Sequence, residues 1–399
     1  MPVTNYNPPV KKSCWRLFAA GSMIAAGFCF VTGMYVFTLN DKSASEKDFI
    51  EYWAAGQQLI HGANPYDAEA TLRLERNVGL ARSKPKITFS PPVAFFLVLP
   101  LGLVSAKTAL IVWSLALLGG LSASIWLLWL INGRANSRLH LIGWIFAPAL
   151  ACLAVGQLSI FCLLGIVVFL YLHKSCSFLA GVALLPCAMK PQLFVPFTIA
   201  LLLWVVSRKA YRLLAGISAA LAASCALTLY FDPHVWLQYQ QMMRTGEALN
   251  VYSPTLSATL RLLVDRNAMW PQFALEIFGC SWTIWYFWTR RTHWNWMDQG
   301  MLLLLVSVSC APYGWFFDEA VLLPAVLAGL YRALDSGRSL LPLGLIAGIA
   351  LIEVYGNVQI TSPFYVWTAP AWLGWYIYAN GKRGRPAIER VPGLSRQRR

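Results

Sequence analysis

Residues Thr108–Ile131 read TALIVWSLALLGGLSASIWLLWLI, 24 residues without a charge. A helix of that length and apolarity meets the roughly 20 residues needed to cross a bilayer. Tyr211–Phe231, YRLLAGISAALAASCALTLYF, repeats the pattern with Arg212 near its start. Apolar runs recur from Trp15 to Asn380, so the chain reads as an all-α, polytopic integral membrane protein. Composition agrees: of 399 residues, 58% are apolar and 12% charged, and the mean hydropathy is +0.55. A soluble domain carries about 25% charged residues. Disorder, a nucleic-acid-binding module and an ordinary cytosolic enzyme are thereby excluded. Short alternating segments are missing, which argues against a β-barrel.

The net charge of +15 sits at the ends and in short loops. Lys11, Lys12 and Arg16 precede the first apolar run, and seven bases against Glu389 follow Gly381. Segment 41–88 instead balances seven acids with seven bases. Basic cytoplasmic segments are the rule for membrane proteins, so both termini are expected in the cytoplasm and 40–88 outside it. The surplus argues against a nucleic-acid partner, while the tail 381–399 suits anionic membrane lipid. The nine cysteines are scattered, with no CxxC pair, and read as apolar fillers rather than zinc ligands or disulfides.

Trp15–Leu39 is too long for a signal-peptide core and reads as a retained first helix. Later candidate spans are 89–104, 107–131, 139–155, 157–172, 177–189, 191–206, 211–231, 271–289, 298–311, 317–334, 339–358 and 363–379. Arg208, Lys209, Arg212, Arg290, Arg291 and Arg338 mark inside loops, which places 232–270, 312–316 and 359–362 outside. Counting every run gives thirteen crossings, one too many for a cytoplasmic tail. Either 89–104, with Pro91, Pro92 and Pro100, dips and returns, or 177–206 is one broken crossing. About twelve crossings remain, with residues 1–380 as one transmembrane unit.

The outer loop carries the first chemistry. Ser45 with Asp48 three residues later suits a helix start. Phe49, Trp53, Gly56 and Ile60 then form one stripe, with Asp48 and Tyr52 a turn apart on its edge. Such a stripe beside acids suits an interfacial helix. Asn64-Pro65-Tyr66-Asp67 ends it. A carboxylate at the bilayer rim is able to act as a general base on an acceptor hydroxyl. Lys190, in Leu185-Pro186-Cys187-Ala188-Met189-Lys190-Pro191-Gln192, is a lone ammonium between apolar runs. It either snorkels to the interface or holds a phosphate. Three further polar breaks are Asn250–Ser257 running into Arg261, Pro312–Glu319, and Gly156-Gln157.

Read together, these residues resemble glycosyltransferase family 87, membrane mannosyltransferases of GT-C architecture that use polyprenyl-phosphate sugars. The resemblance rests on Asp48-Phe49, Tyr52-Trp53, Ala55-Gly56, Gly62 and Asn64-Pro65-Tyr66-Asp67. Ser90-Pro91-Pro92, Leu99-Pro100-Leu101, Gly156-Gln157 and Met189-Lys190-Pro191 follow in the family's order. So do Ser253-Pro254-Thr255-Leu256, Leu260-Arg261-Leu262-Leu263, Ala311-Pro312-Tyr313-Gly314-Trp315 and Leu322-Leu323-Pro324. The chain departs from the pattern twice. Where the family often has Asn after Gly-Gln, Ser159 stands one residue further on; where it commonly has His after Trp, the chain reads Phe316-Phe317-Asp318.

The resemblance implies Asp48 as catalytic base. Lys190 and Arg261 are the expected ligands of the donor phosphate. Tyr52, Trp53, Tyr66, Gln157, Ser253, Tyr313, Trp315 and Asp318 are candidates for sugar or acceptor binding. The expected partners are a polyprenyl-phosphate sugar, a lipid- or glycan-linked acceptor and membrane lipids. The site should lie on the non-cytoplasmic face of the plasma (inner) membrane. A phosphate leaving group already carries charge, and no HxD or DxD motif stands in the outer loops, so no metal or other cofactor is expected. The alternatives are a transporter or flippase of a lipid-linked sugar, which tends to show paired repeats, and an O-antigen-type polymerase or ligase.

Overall fold

The computed structural model describes residues 47–79, 83–133, 138–245, 252–335, 340–356 and 363–381. Ser45, the first apolar run Trp15–Leu39 and the tail beyond Gly381 lie outside them. Among the described residues every regular element is helical. The α-helices are α1 Phe49–Ile60, α2 Ala68–Asn77, α3 Phe95–Gly102, α4 Ala106–Ile131, α5 Ala147–Val155, α6 Ser159–Leu172, α7 Ser177–Val182 and α8 Val195–Arg208. They continue as α9 Tyr211–Phe231, α10 Val235–Arg244, α11 Leu256–Val264, α12 Trp270–Arg290, α13 Met301–Cys310, α14 Leu323–Asp335, α15 Leu340–Gly356 and α16 Thr368–Asn380.

Helices α4 and α9 are long and apolar enough to cross a membrane unaided. Several other apolar runs are helices interrupted by proline. The run 177–206 breaks into α7, 3-10 turns at Leu185–Met189 and Pro191–Leu193, and α8, because Pro186, Pro191 and Pro196 each lack the backbone N–H a continuous helix uses. Segment 89–104 is likewise a 3-10 turn followed by the eight-residue α3. Large apolar side chains remain exposed along α12, including Ile277, Phe278, Trp285 and Trp288. Contiguous exposed apolar surface on this scale marks a membrane-facing region. Among the described residues the protein is helical throughout its regular elements, with apolar helices suited to a membrane.

Helix α1 differs from the expected one-sided stripe. Besides Phe49, Trp53 and Gly56, the residues Ile50, Tyr52, Ala54, Ala55, Gln58 and Leu59 are buried. A helix apolar nearly all round belongs inside a structure. The close approach that buries it depends on two glycines. A methyl group on Gly56 would sit 2.6 Å from the Val98 carbonyl oxygen, and one on Gly102 would sit 2.4 Å from the Gly56 oxygen. Backbone therefore meets backbone where α1 crosses α3. Similar contacts through Gly181 and Gly216 join α7 to α9.

Two poles follow from the helix ends. Lys190 precedes α8, and Pro312 accepts from Gln272 Nε2 near the start of α12 at 2.9 Å. At the far ends of the same helices, Arg208 Nη2 donates to the carbonyls of Arg291 and Thr292 at 3.2 and 3.1 Å. At 1.5 Å per residue the poles are roughly 20–30 Å apart. Of the basic residues read as inside markers, Arg208, Lys209, Arg212, Arg290 and Arg291 thus gather opposite Lys190 and the Pro312 break, and Arg338 lies outside the described residues.

Candidate active site

The first pole holds one hydrogen-bonded chain assembled from five separated parts of the sequence. Asp48 stands at the N-terminal end of α1, its side chain making no cap bond to its own helix. Instead Lys86 Nζ donates to Asp48 Oδ1 at 2.9 Å, and Gln157 Nε2 donates to Asp48 Oδ2 at 3.2 Å. Lys86 is itself positioned by Glu75, buried on α2, whose carboxylate accepts from the Lys86 backbone N–H at 3.0 Å.

Gln157 is the junction. Its Oε1 accepts from Tyr52 OH at 2.6 Å and from Lys190 Nζ at 3.1 Å, while Nε2 also reaches Glu51 Oε1 at 3.4 Å. Gly156 makes this placement possible. It ends α5 in the left-handed conformation (φ +79°), and a methyl group there would lie 2.8 Å from Phe49 Cβ. Trp113 on α4 anchors the turn by donating to the Gly156 carbonyl at 2.8 Å.

Lys190 closes the chain on the other side. Its Nζ donates to Asp318 Oδ1 at 2.6 Å and to Ser159 Oγ at 3.2 Å, and lies 5.0 Å from the centre of the Phe317 ring. Ser159 Oγ donates to the same Asp318 oxygen at 2.5 Å. The other oxygen, Oδ2, accepts from the Trp315 backbone N–H at 2.9 Å and caps the short helix Phe316–Leu322. Ser159 and Asp318, from the two stretches where the chain departs from the expected pattern, thus touch each other and hold one lysine.

Electrostatics separate the two carboxylates of α1. Burial, with Asp48 alongside, pushes the Glu51 carboxyl up to about 8. Glu51 therefore carries a proton at neutral pH while Asp48 faces the Lys86 ammonium. Burial also raises the Tyr52 hydroxyl well above its ordinary range, so it remains a donor to Gln157.

The remaining candidates fall elsewhere. Trp53 packs under α3 and donates to the Val104 carbonyl at 3.0 Å. Tyr66 donates to the Ser90 carbonyl at 2.9 Å and lies between the Phe95 and Tyr239 rings. Both fasten the segment 47–79 to the helices that follow it. Tyr313 is half-buried, and burial together with Tyr239 and Asp318 raises its hydroxyl. Ser253 is buried, with no partner for its hydroxyl among the described residues. Arg261 Nη1 donates to Gln272 Oε1 at 3.0 Å, and none of its described contacts joins it to Lys190. Lys86 and Glu51 are the additions the sequence reading lacked as donor and proton-bearing neighbour of Asp48. Lys86 gave no signal beyond being one of seven bases in a neutral loop.

On this pole the carboxylates of Asp48 and Asp318, the Gln157 amide and the ammonium groups of Lys86 and Lys190 form one connected polar chain inside a largely apolar helical protein. The chain belongs to glycosyltransferase family 87, whose model matches residues 89–312, more than half its length. It is a glycosyltransferase of the membrane. Gln157, Ser159 and Lys190 fall inside the match, whereas Asp48 and Asp318 flank it. No curated protein and no solved structure matches the chain.

Proposed function

We propose that the chain transfers a sugar, mannose by the family resemblance, from a polyprenyl-phosphate donor to a hydroxyl of a lipid- or glycan-linked acceptor. The carrying observation is the single amide of Gln157, hydrogen-bonded to Asp48 on one side and to Lys190 on the other. A proton acceptor and an ammonium are thereby held in fixed relation, as a transfer between a hydroxyl and a phosphate ester requires.

Asp48 takes the acceptor's proton as the hydroxyl oxygen bonds to the anomeric carbon. The bond from that carbon to the phosphate oxygen breaks, its electron pair leaves with the polyprenyl phosphate, and the configuration inverts. Lys190 stabilises the departing charge, sharing its protons between that oxygen and Asp318. Lys86 holds the Asp48 carboxylate in place. No step calls on a metal. Arg261, tied to Gln272, remains a second phosphate ligand only if the donor reaches that side of α11.

In this reading the architecture is of GT-C type with about twelve crossings, both termini are cytoplasmic and the site faces outward. The opposed poles support it, with the basic loops gathered away from Asp48. The test is purified protein in lipid nanodiscs with a panel of polyprenyl-phosphate sugars, following release of free polyprenyl phosphate. Turnover with one donor establishes reaction and sugar together; silence across the panel sinks the proposal.

A further inference from the structure

Beyond Asp318, away from Lys190, lies a small cavity of about 20 Å³. It is room for one water-sized group. Pro254, Ser309, Gly314, Trp315, Asp318 and Glu319 contribute to its walls. Two of these carry polar atoms that are sealed from solvent and unsatisfied. Ser309 Oγ and Glu319 Oε2 have no hydrogen-bond partner among the described residues, and the residues are 8% and 5% exposed. Glu319 Oε1, by contrast, accepts from Thr368 Oγ1 at 2.5 Å, which fixes the carboxyl and leaves Oε2 over. Ser253 and Tyr365, chain neighbours of the wall residues Pro254 and Val366, also hold unsatisfied buried hydroxyls. Unsatisfied buried polar atoms are costly, and Ser309 Oγ and Glu319 Oε2 belong to two walls of one cavity.

The walls define the missing group. The lining holds Asp318 and Glu319 but no basic side chain, so the cavity is not a second phosphate site. Leu193, Val308 and Pro370 supply apolar wall where a cation would need several oxygens. What fits is a small neutral group that both donates and accepts, with the Trp315 ring beside it. Asp318 links this cavity directly to Lys190, where a donor phosphate would rest, so the group belongs to whatever the phosphate carries.

We infer that the cavity receives one hydroxyl of the donor's sugar, held by Ser309 Oγ and Glu319 Oε2, and that this pair sets sugar specificity. The inference rests on the proposed glycosyl transfer for its donor, and its geometry is independent of the base. A site built to hydrogen-bond a hydroxyl strongly rejects the analogue that lacks it, because its own polar groups then go unpaired.

The experiment uses full-length protein in nanodiscs with polyprenyl-phosphate mannose and its single-deoxy analogues. Transfer is read by polyprenyl phosphate release, and binding separately by tryptophan fluorescence of the Asp48→Asn protein. One deoxy analogue should be disfavoured by about a hundredfold or more relative to the parent. In Ser309→Ala and Glu319→Gln that discrimination should shrink at least tenfold, through loss with the parent rather than gain with the analogue. Both changes are small, and thermal unfolding checks that each variant is folded. If both folded variants keep full discrimination, the cavity holds structural water only and the inference falls while glycosyl transfer stands. If deoxy discrimination in binding depends on Ser309 and Glu319 but no donor is turned over, the inference stands and the proposed reaction falls. Discrimination that follows the acceptor's hydroxyls instead of the donor's also overturns it.

Discussion

Lys190 Nζ and Asp318 Oδ1, 128 residues apart in sequence, lie 2.6 Å from each other with side chains 10% and 3% exposed. The pair changes what a substitution at Lys190 should do. A lone ammonium at the interface would be removable at little cost to folding. Removing one partner of a buried pair strands the other's charge, typically at about 3–5 kcal/mol. Lys190→Ala should therefore lower stability by that order as well as abolish transfer. The double variant Lys190→Met with Asp318→Asn should recover most of the stability, since Asn still accepts from the Trp315 N–H, yet remain inactive. Thermal unfolding in detergent beside a transfer assay separates the two effects. A single Lys190→Ala variant with unchanged stability would contradict the pairing.

The crossing of α1 over α3 offers a second test. Gly102→Ala places a methyl group 2.4 Å from the Gly56 oxygen, and the neighbour is backbone, which gives little. Overpacking of this kind costs about 1–3 kcal/mol. Because α1 carries Asp48 and Tyr52, activity should fall further than stability alone explains. Gly119→Ala, where a methyl group meets nothing within 4 Å, is the matched control and should behave as wild type.

Glu51 predicts a pH dependence of stability. Its carboxyl titrates near 8 in the folded protein against an ordinary 4.5. Between those values the folded chain keeps a proton that the unfolded chain has released. Stability is then fully present below about pH 4.5, falls as pH rises through the window, and reaches its floor above pH 8. Glu51→Gln should flatten this slope and be the more stable form at pH 9. Unfolding temperatures of both proteins from pH 6 to 9 decide the matter; parallel curves would remove Glu51 as the source.

These tests draw on different amounts of foresight. Helices α4, α9 and α12 were legible because long apolar runs admit little else, whereas α2, α10 and α11 lie in polar segments that gave no helical signal. Asp48 and Tyr52 were legible as a pair because four residues make one helical turn. Their meeting with Gln157 was not, since it depends on Gly156 letting α5 end against Phe49. Lys86 was hidden by its neutral surroundings and Ser309 by the apolar run that contains it, while Glu319 closed a polar break whose partners lie elsewhere in the chain. The burial of α1 on nearly every face was missed because Ile50, Ala54 and Leu59 lie off the aromatic stripe and find partners only in the folded chain.

Sidedness is tested from the loops. In a cysteine-free background, Ala68→Cys at the exposed start of α2 should react with an impermeant maleimide added to intact cells. Ser395→Cys in the basic tail should react only after the membrane is opened. Labelling of both from outside would break the parity on which about twelve crossings rest.

Chelation supplies a further check on the chemistry. With Lys190 set to meet the leaving phosphate, transfer should be unchanged after exhaustive treatment with EDTA. Loss of activity that added magnesium or manganese restores would replace the ammonium by a metal as the stabiliser of that charge.

The base is the step on which the proposed reaction depends. Asp48→Asn keeps the size of the side chain and one carbonyl oxygen to accept from Lys86 or Gln157, but it has no capacity to take a proton at neutral pH. General-base roles contribute about 10²–10⁴-fold, so transfer should fall at least a hundredfold while the folded state and donor binding persist. Asp67→Asn is the contrasting change. Asp67 is exposed and its carboxylate accepts from the Ala70 N–H to cap α2, a task asparagine performs about as well, so both stability and rate should hold. Glu75→Gln should fall between them. Its carboxylate holds the Lys86 backbone, and loosening Lys86 should lower the rate and shift its acid limb rather than abolish turnover. The rival bases are Glu51 and Asp318. Glu51 holds its proton at neutral pH, and Asp318 is sealed at 3% exposure with both oxygens engaged, whereas the Asp48 side chain is 31% exposed and open to an acceptor hydroxyl. If Asp48→Asn turns over normally while Glu51→Gln does not, the base lies one turn further along α1 and the role of Lys86 must be reassigned with it.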